Sequence, residues 1–306
     1  MKLKAKAGQE AKKAWTLSRF TREFGGWVFM LPSLVLFAFF VWEPMGYGVV
    51  LSFSKLRAFD IVGFAGLDNY RYVLNHPYFQ TALINTVKYA FWSLIIGYMV
   101  PIIVSIILNE VVHWQRFFKF VSYFPSLVPG VAALLMWQFL LTPGDEGLIN
   151  SVLSEVFGIE PLPFLQNPSW TIPILIITLT WKAAGSTTMV YLASLQSINP
   201  ELYEAASLDG AGVWSKIRYI TIPGIYNTAR LMLIMQIISI FQILYEPMVM
   251  TGGGPSNASL SLMFLSYQFA FDKIQFHYAS VVGIIVSLIL LVLTAIYLKF
   301  VKPQDS

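Results

Sequence analysis

The residues of this chain that could make or break bonds are few and scattered. There is no cysteine, which removes thiolate nucleophiles, thiolate metal sites and disulfides together. His76, His113 and His277 stand far apart, without the spacing of a ligand set or an accompanying acid. Gly-Lys occurs nowhere, so the glycine loop that cradles phosphates ahead of a lysine is missing. No reaction is assigned to these residues, and no cofactor or metal is expected on this chain.

What the chain offers instead is polar side chains inside apolar stretches. Lys182 has Thr178 and Ser186 four residues to either side, on one helical face, while Gln236, Ser239, Gln242 and Glu246 recur every three or four residues. Polar groups in hydrocarbon are costly unless they meet a partner or water. Two such stripes facing one another would line a wet cavity. Amides and hydroxyls donate and accept, as binding a polyol requires, and Trp181 and Tyr245 offer flat apolar faces for its C–H groups. The competing reading is that Lys182 pairs with Glu246 or Glu43 and that the amides and hydroxyls glue helices together.

The elements that would carry these residues are membrane helices. Hydrophobic residues make up 57% of the 306 and charged ones only 12%, far from a soluble domain. A bilayer core of about 30 Å takes about 20 apolar residues in a helix. Six stretches qualify, near Trp27–Val50, Thr86–Leu108, Phe120–Leu141, Thr171–Leu195, Ile225–Val249 and Tyr278–Phe300. The expected fold is therefore all-α and polytopic: a tail over residues 1–26, one six-helix domain over 27–300, and a tail over 301–306. The first run reads as a retained span, since no small-residue cleavage site follows it. Glu43-Pro44 near its end suggests a kink.

The net charge of +4 reports topology, with nucleic acid set aside, because the bases are gathered at particular connections. Lys2, Lys4, Lys6, Lys12, Lys13, Arg19 and Arg22 precede the first span. Arg116 and Lys119, then Lys216, Arg218 and Arg230, then Lys299 and Lys302 fall on the same side, whereas the connection 142–170 holds Asp145, Glu146, Glu155 and Glu160 and no base. Both termini are expected in the cytoplasm of a prokaryotic cell, with the chain in its inner (plasma) membrane.

One polar segment, "EAASLDGAGVWSKIRYITIPG" over 204–224, lies between the fourth and fifth spans. Asn199 and Pro200 read as a helix start, and Gly210 and Gly212 as its stop. A second short helix, "VWSKIRYI", is expected to end at Pro223 before the fifth span begins. Glu204, Ala205, Ala206, Gly210 and the run Ile220 to Pro223 stand in the register of the EAA loop, and the segment resembles that of binding-protein-dependent ABC importer permeases. Ile217 and Ile222 depart from the residues common in that family, and a following proline is absent at Tyr226-Asn227. "FAGLDNYRYVLNHPYFQTALINT", "TWKAAGSTTMVYLASLQSI" and "MTGGGPSNAS" are similar to stretches of its carbohydrate-type members. Alone, the last is only a flexible glycine turn.

The resemblance implies the type I (MetI-like) permease fold and import of a sugar or oligosaccharide by alternating access. It implies that the loop 198–224 docks a cytoplasmic ATPase dimer through Glu204, Ala205, Ala206, Asp209, Gly210, Ile217, Ile220 and Pro223, with ATP and Mg held by that partner. It further implies a second related permease subunit, a solute-binding protein meeting Gly66–Tyr78 and Gly252–Ser259, and a translocation site built partly from the fourth and fifth spans. An ion-coupled secondary transporter or channel using Lys182, Glu246 and Glu43 is the alternative.

Overall fold

The computed structural model describes residues 26–110 and 113–300; the basic leader and the last six residues lie outside them. Helix α1 (Gly26–Ser52) has none of its apolar window buried within the chain, and a π turn at Ala38–Trp42 stands just ahead of Glu43-Pro44. A two-stranded antiparallel hairpin follows, β1 (Ser54–Arg57) with β2 (Asp60–Phe64), then the short α2 (Asp68–Leu74). Helix α3 (Pro77–Glu110) crosses back, followed by α4 (Gln115–Leu127), α5 (Gly130–Leu140) and α6 (Leu148–Phe157). Then come α7 (Pro168–Gln196) and the short α8 (Pro200–Leu208). Helix α9 (Val213–Phe241) leads to α10 (Tyr245–Thr251), α11 (Leu262–Tyr267) and α12 (Phe276–Phe300).

Among the described residues four helices, α1, α3, α9 and α12, are long and apolar enough to cross a membrane, and the bent pair α4–α5 makes a fifth. At 29 residues α7 is about 43 Å long, but Thr171, Thr178, Thr180 and Lys182 dilute its hydropathy. That dilution follows from its place. It packs on α3, α4 and α9 at the centre of the bundle, and Thr171, Thr178, Thr180 and Thr188 are buried there. The arrangement is compatible with six crossings.

Three stretches depart from the expected helices, each at a proline. The third span is no straight rod, because α4 and α5 meet at 97°. Val128, which precedes Pro129, is extended (φ −68°, ψ 132°), as the proline ring demands. The fifth span stops at Phe241 and resumes at Tyr245, since Pro247 cannot donate to the carbonyl of Ile243. Ser261 Oγ donates to that carbonyl instead, at 2.7 Å. Pro223, conversely, ends nothing. A π turn at Ile217–Thr221 precedes it, opening the ladder where the ring needs room, and α9 runs unbroken from Val213.

The turn Gly252–Ser259 is anchored rather than flexible. Asn85 Nδ2 donates to the carbonyls of Asn257 (2.8 Å) and Leu260 (3.1 Å), and the Tyr89 hydroxyl donates to Ser259 (2.9 Å). Side chains of α3 thus satisfy a non-helical backbone that would otherwise be stranded.

Helices α7 and α4 touch backbone to backbone at Gly185, where an added Cβ would lie 2.2 Å from the Ser122 carbonyl oxygen. Gly185→Val should therefore lower stability in detergent by about 1–3 kcal/mol through overpacking. Gly283→Ala, whose Cβ meets nothing within 4 Å, should leave the thermal midpoint unchanged or raise it. At the head of α3, His76 Nδ1 accepts from the Tyr78 amide at 3.3 Å, which needs the neutral ring. Burial first, then Lys273, holds its pKa below the usual 6.5. The unfolded chain then takes up this proton first, so stability should be full above pH 6.5 and fall as the pH drops below it. Thermal midpoints from pH 8 to 5 check this, and His76→Asn, which caps without titrating, should flatten that part of the slope.

Candidate functional site

Most of the residues singled out in the sequence lie in two regions, one within the helix bundle and one at its α8 end. In the first, Lys182 reaches from α7 to the α4–α5 bend and donates through Nζ to the Val128 carbonyl at 2.9 Å. Ser126 Oγ returns a bond to the Lys182 carbonyl at 2.9 Å. Its bonded partner is therefore neither Glu43 nor Glu246, although Glu246 lies within electrostatic reach. A cation at the C-terminal end of α4 also meets the negative end of that helix. Beside it the Trp181 ring meets Trp137 of α5 edge-on at 5.6 Å.

One turn away, Gln236 of α9 donates through Nε2 to Ser93 Oγ of α3. The π turn Ser93–Gly97 sets both of these α3 residues against Gln236, where a Cβ on Gly97 would collide with its amide nitrogen. Gly97, Thr180, Thr187, Gln236 and Ser239 line a cavity of about 50 Å³, more than the roughly 10–15 Å³ a water needs. Of the expected stripes only Gln236 and Ser239 reach this cavity; from the fourth span Thr180 and Thr187 line it in place of Thr178, Lys182 and Ser186. The expected stripe from Gln236 to Glu246 is split, because the helix breaks at Gln242–Leu244. Gln242 lines a separate groove between α1 and α12. Glu246 is half-buried on α10, and Ser186 and Tyr245 are exposed.

Ser93, Gly97 and Thr180 were not singled out in the sequence. A serine and a glycine four apart within "FWSLIIGY" were the available signal, but their partner Gln236 is 143 residues away.

At the α8 end, Asn199 caps the helix through Oδ1, accepting from the Glu201 amide at 3.1 Å, and Gly210 takes φ +75° where it stops. Glu204, Ala205, Asp209, Gly210 and Pro223 are exposed, while Ala206, Ile217 and Ile220 are half-buried. Two large apolar side chains stand out into solvent beside them, Leu208 at 89% and Trp214 at 83% exposure. Lys216 Nζ donates to Ser207 Oγ at 2.7 Å, and the hydroxyls of Tyr203 and Thr221 meet at 3.0 Å, so the elbow between α8 and α9 is braced.

Just inside that elbow, three consecutive residues of α9 bond to three helices. Thr228 Oγ1 donates to Ser194 Oγ of α7 at 2.9 Å. The carbonyl of Ala229 accepts from Tyr98 of α3 at 2.8 Å, and that of Arg230 from Tyr297 of α12 at 2.7 Å.

Lys182→Met should strand the Val128 carbonyl and lower the thermal midpoint in detergent by the equivalent of about 1–3 kcal/mol. Lys182→Arg, which keeps a donor, should recover part of that loss.

The chain matches the family model described as "Binding-protein-dependent transport system inner membrane component" over residues 111–304. It is 33% identical to the "Probable ABC transporter permease protein YurN" of Bacillus subtilis over 90% of this chain and 95% of that protein. It is 29% identical to the "Arabinooligosaccharides transport system permease protein AraP" of the same organism, over 94% and 92%. A chain in the crystal structure of a bacterial alginate ABC transporter, in complex with alginate pentasaccharide-bound periplasmic protein, superposes with a TM-score of 0.81 at 27% identity, over 92% of this chain and 94% of that one. The chain therefore belongs to the inner membrane components of binding-protein-dependent transport systems, as a multi-pass permease subunit of an ABC transporter and not an enzyme.

Proposed function

We propose that this chain forms one half of a membrane pathway that imports an oligosaccharide by alternating access, driven by a separate ATPase that grips the loop 198–224. The observation that carries the reading is the braced elbow. An exposed apolar surface from Leu208 and Trp214 lies beside Glu204 and Asp209, and α9 continues from it straight into the bundle. Tryptophan is among the residue types that dominate contact energies when water is excluded, and Leu208 enlarges the apolar surface around it. A push on α8 passes through Lys216–Ser207 into α9, and the bonds at Thr228, Ala229 and Arg230 distribute it to α7, α3 and α12. ATP and Mg belong to the ATPase dimer; this chain supplies the moving helices.

The relatives named for arabino-oligosaccharides and the alginate transporter support a saccharide as cargo. Trp181, Lys182, Ser186, Gln236, Ser239, Gln242, Tyr245 and Glu246 are the proposed pathway residues, with Lys182 and Gln236 acting through the supports just described. A second related permease completes the pathway, and a solute-binding protein delivers cargo at the end carrying the hairpin and Gly252–Ser259. The lysine and arginine distribution supports a cytoplasmic position for α8 and both termini.

Trp214→Ala should weaken ATPase capture by about 2 kcal/mol, roughly 30-fold, and Leu208→Asp should reinforce the loss. Neither should shift the thermal midpoint of the bundle, because both side chains face solvent. Co-purification and saccharide-stimulated ATP hydrolysis in proteoliposomes are the measurements. Uptake that persists without ATP and follows an ion gradient would overturn the proposal.

A further inference from the structure

A larger cavity lies apart from the layer around Lys182, at the hairpin end of α5. It measures about 580 Å³, within the roughly 300–1,000 Å³ of small-molecule sites. Gln138, Phe139 and Thr142 at the end of α5, Gln166 ahead of α7 and Thr251 at the end of α10 line it, and all its lining residues are uncharged. Gln138 Nε2 donates to the Met250 carbonyl at 3.3 Å, which fixes the amide plane and keeps its Oε1 available to accept. Phe139 presents an exposed ring. An apolar ring beside amides and hydroxyls suits a sugar, whose C–H face lies on the ring while its hydroxyls donate and accept.

The connection that leaves the cavity at Pro143 is acidic and carries no base up to Trp170. Asp145 and Glu146 follow the lining residue Pro143 by two and three positions, and Glu155 and Glu160 lie further along the same connection. A carboxylated sugar is recognised by arginine or lysine, and a negative rim repels it. Deeper in, Lys182 is tied to the Val128 carbonyl, so part of its donor capacity is already committed to the helix bend. Helix α5 joins the two levels: Gln138 lines the outer cavity, and its neighbour Trp137 packs on Trp181. From Gln138 to the bend at Gly130 the helix spans about 12 Å, a distance within the length of a short oligosaccharide.

We infer that this cavity is an entrance subsite for a neutral saccharide unit, and that uronate oligomers are disfavoured cargo. The inference rests on the proposed transport reading and narrows its substrate class, which relatives named for both arabino-oligosaccharides and alginate leave open.

The test uses the complete transporter in proteoliposomes with its binding protein, and neutral and galacturonate oligomers of matched length. Gln166→Leu and Gln138→Leu, in complexes that still assemble, should each raise the half-saturating concentration of a neutral tetrasaccharide about fivefold, the worth of one neutral hydrogen bond. A disaccharide should be less affected, and binding-protein affinity unchanged. Galacturonate oligomers should compete at least tenfold more weakly than neutral ones. Asp145→Asn with Glu146→Gln should narrow that gap, which assigns it to this chain and not to the binding protein. Equal competition, length-independent effects, an unmoved gap, or loss of binding-protein affinity in place of saccharide affinity would each overturn the inference. Silence of the unmodified transporter to every saccharide would strike at the transport reading itself.

Discussion

Hydrocarbon offers no solvent to a backbone carbonyl, so every interruption of a membrane helix must be closed by the chain itself. This protein interrupts its helices repeatedly and closes three of the gaps with side chains. Lys182 covers Val128 at the α4–α5 bend, Ser261 covers Ile243 at the α9–α10 break, and Asn85 with Tyr89 covers the turn 257–260. The donors come from elements distant in sequence. The interruptions therefore hold the bundle together as well as bending it, since each one is stable only while its neighbour is in place.

The same device has a functional side. Irregular backbone at membrane depth is tolerated where it is buried in protein or lines a cavity, and here the α4–α5 bend meets α7 at Lys182 and the α9–α10 break follows Gln236 and Ser239 on α9. Lys182 is consequently a support before it is a ligand, because its ammonium is tied to the Val128 carbonyl. The small cavity between Gln236, Thr180 and the π turn of α3 shows the same economy: the amide that faces it is held by Ser93, and Gly97 leaves the space in which it lies.

At the other end of α9 the logic reverses, because there the helix must not break. The π turn at Ile217–Thr221 carries it past Pro223, so the exposed elbow and the bundle interior belong to one continuous rod. Bonds from Thr228, Ala229 and Arg230 to α7, α3 and α12 make that rod a member shared by most of the bundle. A hinge at Pro223 would have absorbed a displacement of the elbow, whereas a continuous helix passes it on.

The amino-acid order by itself determined the membrane class, the places of the apolar helices and the capped start of α8 at Asn199. These are set by composition and by contacts within a few residues, where a side chain's cost in lipid or at a cap acts locally. It also marked Lys182 and Gln236 as anomalous in hydrocarbon, yet left their partners open. Only the tertiary structure decided that Lys182 serves Val128 instead of Glu246, that Gln236 meets Ser93, that Gln242 faces a different groove, and that Pro129 and Pro247 break helices while Pro223 does not. Proline's effect depends on whether another segment can satisfy the carbonyl it frees or a π turn can make room for its ring. That donor is supplied by packing and not by the neighbouring residues.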